Sequence, residues 1–181
     1  MRKWNALNSM GIIVLFLIHA ITGGLQLAGI IGGGNPVLKV LAWIMLVMIA
    51  AHVVIGIKLT ADSLLACKKA GVSYFKENKL FWTRRISGFA TIIFVLLHVI
   101  LFMGNTSAGA YRLNLFATPQ LVVMIFFVVS VAVHVLTNIK PLMIALGQKG
   151  LKEFVTDILL VISAFLIFSG IAFVIYYIRW L

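Results

Sequence analysis

Five long apolar stretches constrain this chain more than any other feature of its sequence. They cover residues 7–31, 37–59, 86–103, 119–139 and 154–178. Each is close to the length of about twenty apolar residues that a helix needs to cross a bilayer. With 63% hydrophobic and only 10% charged residues, the chain has the composition of an integral membrane protein. We therefore predict an all-α protein, with residues 1–181 forming one transmembrane domain of five helices.

The basic residues predict how these helices are oriented. The formal net charge is +11, but the basic residues lie between apolar runs and form no soluble basic domain, so we expect no nucleic-acid partner. Twelve of the fifteen lie on the side of the N-terminus; the other three are Lys39, Arg112 and Arg179. Because basic loops stay in the cytoplasm, we predict a protein of the cytoplasmic (inner) membrane with its N-terminus inside and its C-terminus outside.

The chain repeats a two-helix hairpin. Residues 51–58 (AHVVIGIK) and 133–140 (VHVLTNIK) each place a histidine six residues before a lysine. Ahead of these motifs, Ser9 precedes His19 in the first span, as Ser87 precedes His98 in the third. The first repeat covers residues 7–59 and the second covers residues 86–140, followed by a fifth helix at 154–178. We expect a cytoplasmic loop at 60–85, with a short surface helix through Leu64, Leu65 and Cys67, and a helix stop or kink at Pro141.

Each of the first four helices carries one histidine, and the chain has no others. At about 1.5 Å per residue, His52 and His134 lie roughly 9 Å from the cytoplasmic boundary, and His19 and His98 lie roughly 18 Å from it. We call His52 and His134 the inner pair, and His19 and His98 the outer pair. A parallel repeat about an axis along the membrane normal would bring the members of each pair to opposite sides of that axis.

An imidazole is costly in hydrocarbon, so two matched pairs indicate a function. The single cysteine, Cys67, excludes a disulfide within the chain, an iron–sulfur cluster held by this chain alone and covalent CxxCH haem attachment. Two facing histidines are what a planar haem needs as axial ligands, so we predict two haem b groups in a four-helix core. The alternatives are hydrogen-bonded buried histidines and a haem-free transporter that uses them for protons or a metal.

The surroundings of the histidines suggest how a macrocycle would be accommodated. Small residues near the histidines would let it approach the backbone: Gly23, Gly56 and Ser130. Basic residues near the cytoplasmic boundary are candidate partners for the propionates of the inner haem: Lys58, Arg85 and Lys140.

The stretch Trp82–Phe89 (WTRRISGF), followed by His98, resembles the membrane cytochrome b subunits of succinate dehydrogenases and fumarate reductases. That family often carries an Arg-x-[Ser/Thr]-Gly motif that opens a histidine-bearing helix. The layout of five helices with histidines on the first four is similar to its single-subunit, di-haem type. The resemblance implies that the first and third histidines hold one haem and the second and fourth hold the other.

The resemblance also implies partners. Such anchors bind an iron–sulfur subunit and a flavoprotein subunit on the cytoplasmic face, and they exchange electrons with menaquinone or ubiquinone in the membrane. The basic segment 68–85 is a candidate docking surface. An alternative is the equivalent subunit of a hydrogenase, a formate dehydrogenase or another flavin reductase.

Candidates for quinone contact lie at both ends of the bundle. Some di-haem members have a carboxylate in the outer half of the second helix, whereas this chain has no acidic residue in its outer half. The candidates at the inner end are Trp82, Arg85 and Ser87. Those at the outer end are Gln26, Asn105, Tyr111 and Arg112.

Overall fold

The computed structural model describes residues 1–71, 78–103, 106–107, 110–111, 116–147 and 152–179. Its helices are α1 (Arg2–Leu27), α2 (Pro36–Lys69), α3 (Lys79–Phe102), α4 (Thr118–Ala145) and α5 (Lys152–Ile178). Between α3 and α4, strand β1 (Thr106–Ser107) pairs antiparallel with β2 (Ala110–Tyr111). Five helices are long and apolar enough to cross a membrane, which confirms the predicted helical class and the number of candidate spans.

The turn before α2 follows from its sequence. Gly34 has a φ of 89°, which a residue without a Cβ adopts readily. The Asn35 side chain then caps the helix by accepting hydrogen bonds from the backbone N–H groups of Val37 at 2.9 Å and Leu38 at 3.3 Å. Pro36 occupies the first turn, where its missing N–H costs nothing.

Helix α2 is longer than the sequence analysis predicted. Residues 60–69 of the expected loop, where a separate surface helix was predicted, continue α2 without interruption to Lys69. At the other end of that segment, α3 begins at Lys79 and not at Ile86. Residues 59–69 contain no glycine or proline, so nothing ends the helix before Gly71, which has a φ of 68°. At 34 residues, α2 is about 51 Å long, compared with the roughly 30 Å of a bilayer's hydrocarbon core.

Helix α4 continues past Pro141, where a stop or kink was expected, and ends at Ala145. Proline has no backbone N–H, so the Thr137 carbonyl four residues earlier loses its usual helical partner. The Arg84 Nε donates a hydrogen bond to that carbonyl at 2.9 Å. This side chain of α3 therefore replaces the hydrogen bond that proline removes.

Helix α5 joins the two hairpins. The close helix pairs are α1 with α2 and α3 with α4 within the hairpins, and α1 with α5 and α4 with α5 between them, plus a smaller α1–α4 contact. One core cluster is formed by residues of α4 and α5: Val131, Ile139, Met143, Ile162 and Leu166. Ile13 and Phe16 of α1 pack against that cluster. Among the described helices, α2 packs closely against α1 alone and has no buried residue.

Arg179, just after α5, fixes the ends of α5 and α1 to each other. Its Nη1 donates a hydrogen bond to the Leu27 carbonyl at 2.7 Å, one of the last carbonyls of α1. Gly29 has a φ of 75°, and the Arg179 guanidinium lies where a Cβ of residue 29 would be. The positive φ therefore favours glycine at this position, and a side chain here would displace the Arg179 guanidinium.

Two neighbouring residues of α5 test the importance of this packing. Leu166 is 4% exposed and Ile167 is 64% exposed. We expect Leu166→Ala to lower the free energy of unfolding by about 1–3 kcal/mol, because packing contacts are lost and a cavity is left. Ile167→Ala should cost less than about 1 kcal/mol. Reversible unfolding in mixed micelles would measure both, and equal losses would contradict a core between α1, α4 and α5.

Candidate functional site

The structure brings the four histidines together as two pairs. In the outer pair, the ring centroids of His19 and His98 are 6.0 Å apart and the ring planes are at 80°. In the inner pair, the centroids of His52 and His134 are 6.2 Å apart, and the planes are again at 80°. The two pairs have nearly the same geometry and join the same two hairpins.

These distances are suitable for one metal ion between two imidazoles. A histidine nitrogen lies about 2.0 Å from a bound metal ion, and the ring centroid lies about 1.1 Å behind that nitrogen, which gives roughly 6.2 Å between centroids. Helices α1 and α3 are not a close pair in the described structure, and neither are α2 and α4. The histidines therefore face each other across a gap between helices.

The glycines predicted to provide space for a macrocycle border open space. Gly23 and Gly56 each lie four residues after a histidine, on the same helix face. At both positions, no atom outside the local helix lies within 4 Å of the point that a Cβ would occupy. Ser130, the third predicted small residue, is buried at 8% exposure. The histidines and these spaces together fit a planar group with an axial histidine on each side.

Hydrogen bonds orient the His52 ring of the inner pair. The Ser9 hydroxyl donates to the Asn5 carbonyl at 2.8 Å, so its proton is already engaged. Ser9 Oγ also lies 3.1 Å from His52 Nδ1, and with its proton on the Asn5 carbonyl it accepts a hydrogen bond from that nitrogen. In this arrangement Nδ1 carries the proton, and the lone pair of His52 Nε2 is available to a metal.

His134 is assigned the same tautomer. Its Nδ1 lies 3.2 Å from the Arg84 carbonyl, which has no proton to donate, so Nδ1 must be the donor. Ser87 Oγ lies 3.4 Å from the same nitrogen and donates its own proton to the Arg84 carbonyl at 3.2 Å. A Cβ at Gly88 would lie 3.0 Å from the His134 ring, so this glycine permits the close approach.

The outer pair lies in apolar surroundings. The centroid of the His98 ring is 4.8 Å from that of Phe102, 5.1 Å from Phe127 and 6.3 Å from Phe173. Its Nδ1 is buried, and no hydrogen-bond partner for it occurs within the described residues. The two pairs thus have similar spacing but different surroundings.

The predicted basic residues differ in how close they lie to the inner pair. Arg85 is close enough to interact electrostatically with both His52 and His134, and its guanidinium lies 4.9 Å from the centre of the Phe81 ring. Lys58 and Lys140 are exposed. Arg85 therefore has the best position of the three for a charged substituent of a group held by the inner pair.

A groove of about 700 Å³ lies between α3 and α4, beside the inner pair. Its wall is mostly apolar, and its polar residues include Lys79, Trp82, Thr83, Ser87 and Ser130. Two of the three inner quinone candidates, Trp82 and Ser87, line this groove.

The other quinone candidates were predicted at the opposite end of the bundle. Gln26 lies in α1. Asn105 and Arg112 lie outside the described residues, and so does the side chain of Tyr111.

Sites with three or more protein ligands are not found in the part of the chain that the structure describes. No group of three or more histidine, cysteine, aspartate or glutamate side chains is close enough there to hold a metal ion. Structural zinc usually has four such ligands and catalytic zinc has three. The described histidines therefore occur as pairs and not as clusters of three or four ligands.

The sequence analysis missed the residues that orient the inner pair. Ser9 was noted only as part of the repeat and Ser87 was also predicted as a quinone contact, but neither was predicted as a partner of the histidine on the next helix. Their equivalent positions near the start of α1 and α3 were the available signal. The Arg84 carbonyl gave no signal, because any residue provides a backbone carbonyl.

Arg84 connects α3 to α4 through its side chain as well as its carbonyl, and this can be tested with a double-mutant cycle. Arg84→Ala leaves the Thr137 carbonyl without a partner and should lower the free energy of unfolding by about 1–2 kcal/mol. Pro141→Ala restores a backbone N–H four residues after Thr137, so it should recover most of that loss. The cycle should give a coupling of about 1 kcal/mol, and additive effects would contradict this explanation.

Comparisons of the chain with protein-family models, with curated proteins and with solved structures found no match. Its functional assignment therefore depends on the two histidine pairs and their surroundings.

Proposed function

We propose that this protein is a di-haem cytochrome b that anchors a succinate dehydrogenase or fumarate reductase complex. It would transfer electrons between membrane quinone and cytoplasmic iron–sulfur and flavoprotein subunits. The observation that supports this most strongly is the pair of facing histidines repeated at two levels, with centroids 6.0 and 6.2 Å apart. Hydrogen bonding or proton relay alone would not require this equal spacing.

In this proposal, His19 and His98 hold one haem b, and His52 and His134 hold the other. A bound haem supplies a one-electron redox centre, while the protein supplies ligands, orientation and electrostatics. Ser9, Ser87 and the Arg84 carbonyl hold the Nδ1 protons of the inner pair and leave both Nε2 atoms free to bind iron. Arg85 is the best supported partner for the propionates of the inner haem; Lys58 and Lys140 remain further candidates.

We assign quinone binding to the groove between α3 and α4. Its apolar wall suits a quinone ring and the start of an isoprenoid tail, while Trp82 and Ser87 offer donors for a quinone carbonyl. Because Ser87 also contacts His134, this location is adjacent to the inner pair. The absence of acidic residues from the outer half also favours the inner end.

The soluble partners would bind at the end of the bundle where α1 begins and α2 ends. Basic residues concentrate there, among them Lys58, Lys68, Lys69, Lys79 and Lys140. By the positive-inside rule, this end faces the cytoplasm. The chain itself would do no chemistry on the dicarboxylate, which belongs to the flavoprotein.

The haem content of the purified protein tests the proposal. We expect about two b haems per chain by pyridine haemochrome assay and a low-spin optical spectrum. Replacing any one of the four histidines with alanine should lower the content to about one, because one axial ligand is lost. Met45→Leu, on the same helix as His52, should retain both.

The ring planes provide a second measurement. At 80° in both pairs, the imidazoles predict the strongly anisotropic low-spin EPR signal of nearly perpendicular axial ligands. A protein that folds without haem would contradict the proposal and favour the transporter alternative. Two haems retained after replacement of His52 would contradict the assigned ligands.

A further inference from the structure

Ser87 is shared between the groove and the inner histidine pair. Ser87 is one of the residues that line the groove between α3 and α4, and its hydroxyl oxygen lies 3.4 Å from His134 Nδ1. It is 7% exposed, so few other groups can compete for it. One residue therefore borders the candidate ligand cavity and also contacts a candidate metal ligand.

The Arg84 carbonyl beside Ser87 accepts hydrogen bonds from two donors. The Ser87 hydroxyl and His134 Nδ1 each donate to it, both at 3.2 Å. A hydroxyl proton can rotate toward another acceptor, whereas the imidazole proton is fixed in the ring plane. An acceptor in the groove could therefore draw the Ser87 proton away, leaving the Arg84 carbonyl to His134 alone.

We propose that a quinone carbonyl in the groove accepts a hydrogen bond from Ser87 and thereby strengthens the bond from His134 Nδ1 to the Arg84 carbonyl. This inference rests on the proposed function and adds a coupling between the two sites. A stronger bond at Nδ1 makes the imidazole a more basic ligand, which stabilises ferric iron. Quinone binding should then lower the midpoint potential of the inner haem.

The repeat provides a matched control. Ser9 holds His52 in the first hairpin as Ser87 holds His134 in the second, but Ser9 does not line the groove. Removing the Ser9 hydroxyl should weaken the bond at His52 Nδ1 and raise the potential of the inner haem. It should leave the response to quinone intact.

The test is a redox titration of the full-length, haem-loaded protein with and without the soluble quinone menadione. We expect His52→Ala to retain only the outer haem. The titration step that this variant lacks therefore belongs to the inner haem. In the wild type, menadione should lower the midpoint potential of the inner haem. In Ser87→Ala, that shift should be lost and menadione should bind about five-fold more weakly, since one hydrogen bond is missing. In Ser9→Ala, the midpoint potential of the inner haem without menadione should be higher than in the wild type, and menadione should lower it by the same amount.

Naphthalene, which fills space but has no carbonyl, serves as the control ligand. An equal shift with naphthalene would overturn the proposal, because filling the groove would then be sufficient. The proposal would also be overturned if menadione still lowered the potential in Ser87→Ala, or if it caused no shift in the haem-loaded wild type. Those results would leave the di-haem function standing, whereas a protein without haem would contradict that function itself.

Discussion

The arrangement of the helices depends on how four imidazoles are accommodated in an apolar bundle. A buried imidazole needs partners for its ring nitrogens, because an unsatisfied polar atom in hydrocarbon is costly. For the inner pair, the partners of Nδ1 come from the other helix of the same hairpin: Ser9 for His52, and Ser87 with the Arg84 carbonyl for His134. Each hairpin therefore orients its own histidine of the inner pair. The Nε2 atom of that histidine is left available to the space between the hairpins.

The spacing between the hairpins has a separate origin. Helix α5 packs against α1 and α4, and the Arg179 guanidinium ties its end to the Leu27 carbonyl. The buried apolar residues are concentrated along these contacts, while α2 has none. The helix without a histidine thus holds the two histidine-bearing hairpins at a fixed separation.

Much of this fold could be predicted from the sequence, because the length of an apolar run and the offset of a repeat are local properties. They predicted five helices and the pairs in which the histidines face one another. The roles of Arg84 and Pro141 could not be predicted, because the missing proline N–H is replaced by a side chain more than fifty residues earlier in the chain. The continuation of α2 was also missed, because residues 60–69 were interpreted as part of a polar connection although nothing in them ends a helix.

The unequal lengths of α2 and α4 have a consequence for any protein that binds at their shared end. Helix α2 continues eleven residues beyond Lys58, whereas α4 continues five residues beyond Lys140. At about 1.5 Å per residue, this makes a step of roughly 9 Å between two otherwise equivalent positions. A bound subunit would have to match that step, so the pseudo-symmetric core presents an asymmetric surface that distinguishes one rotational orientation of its partner from the other.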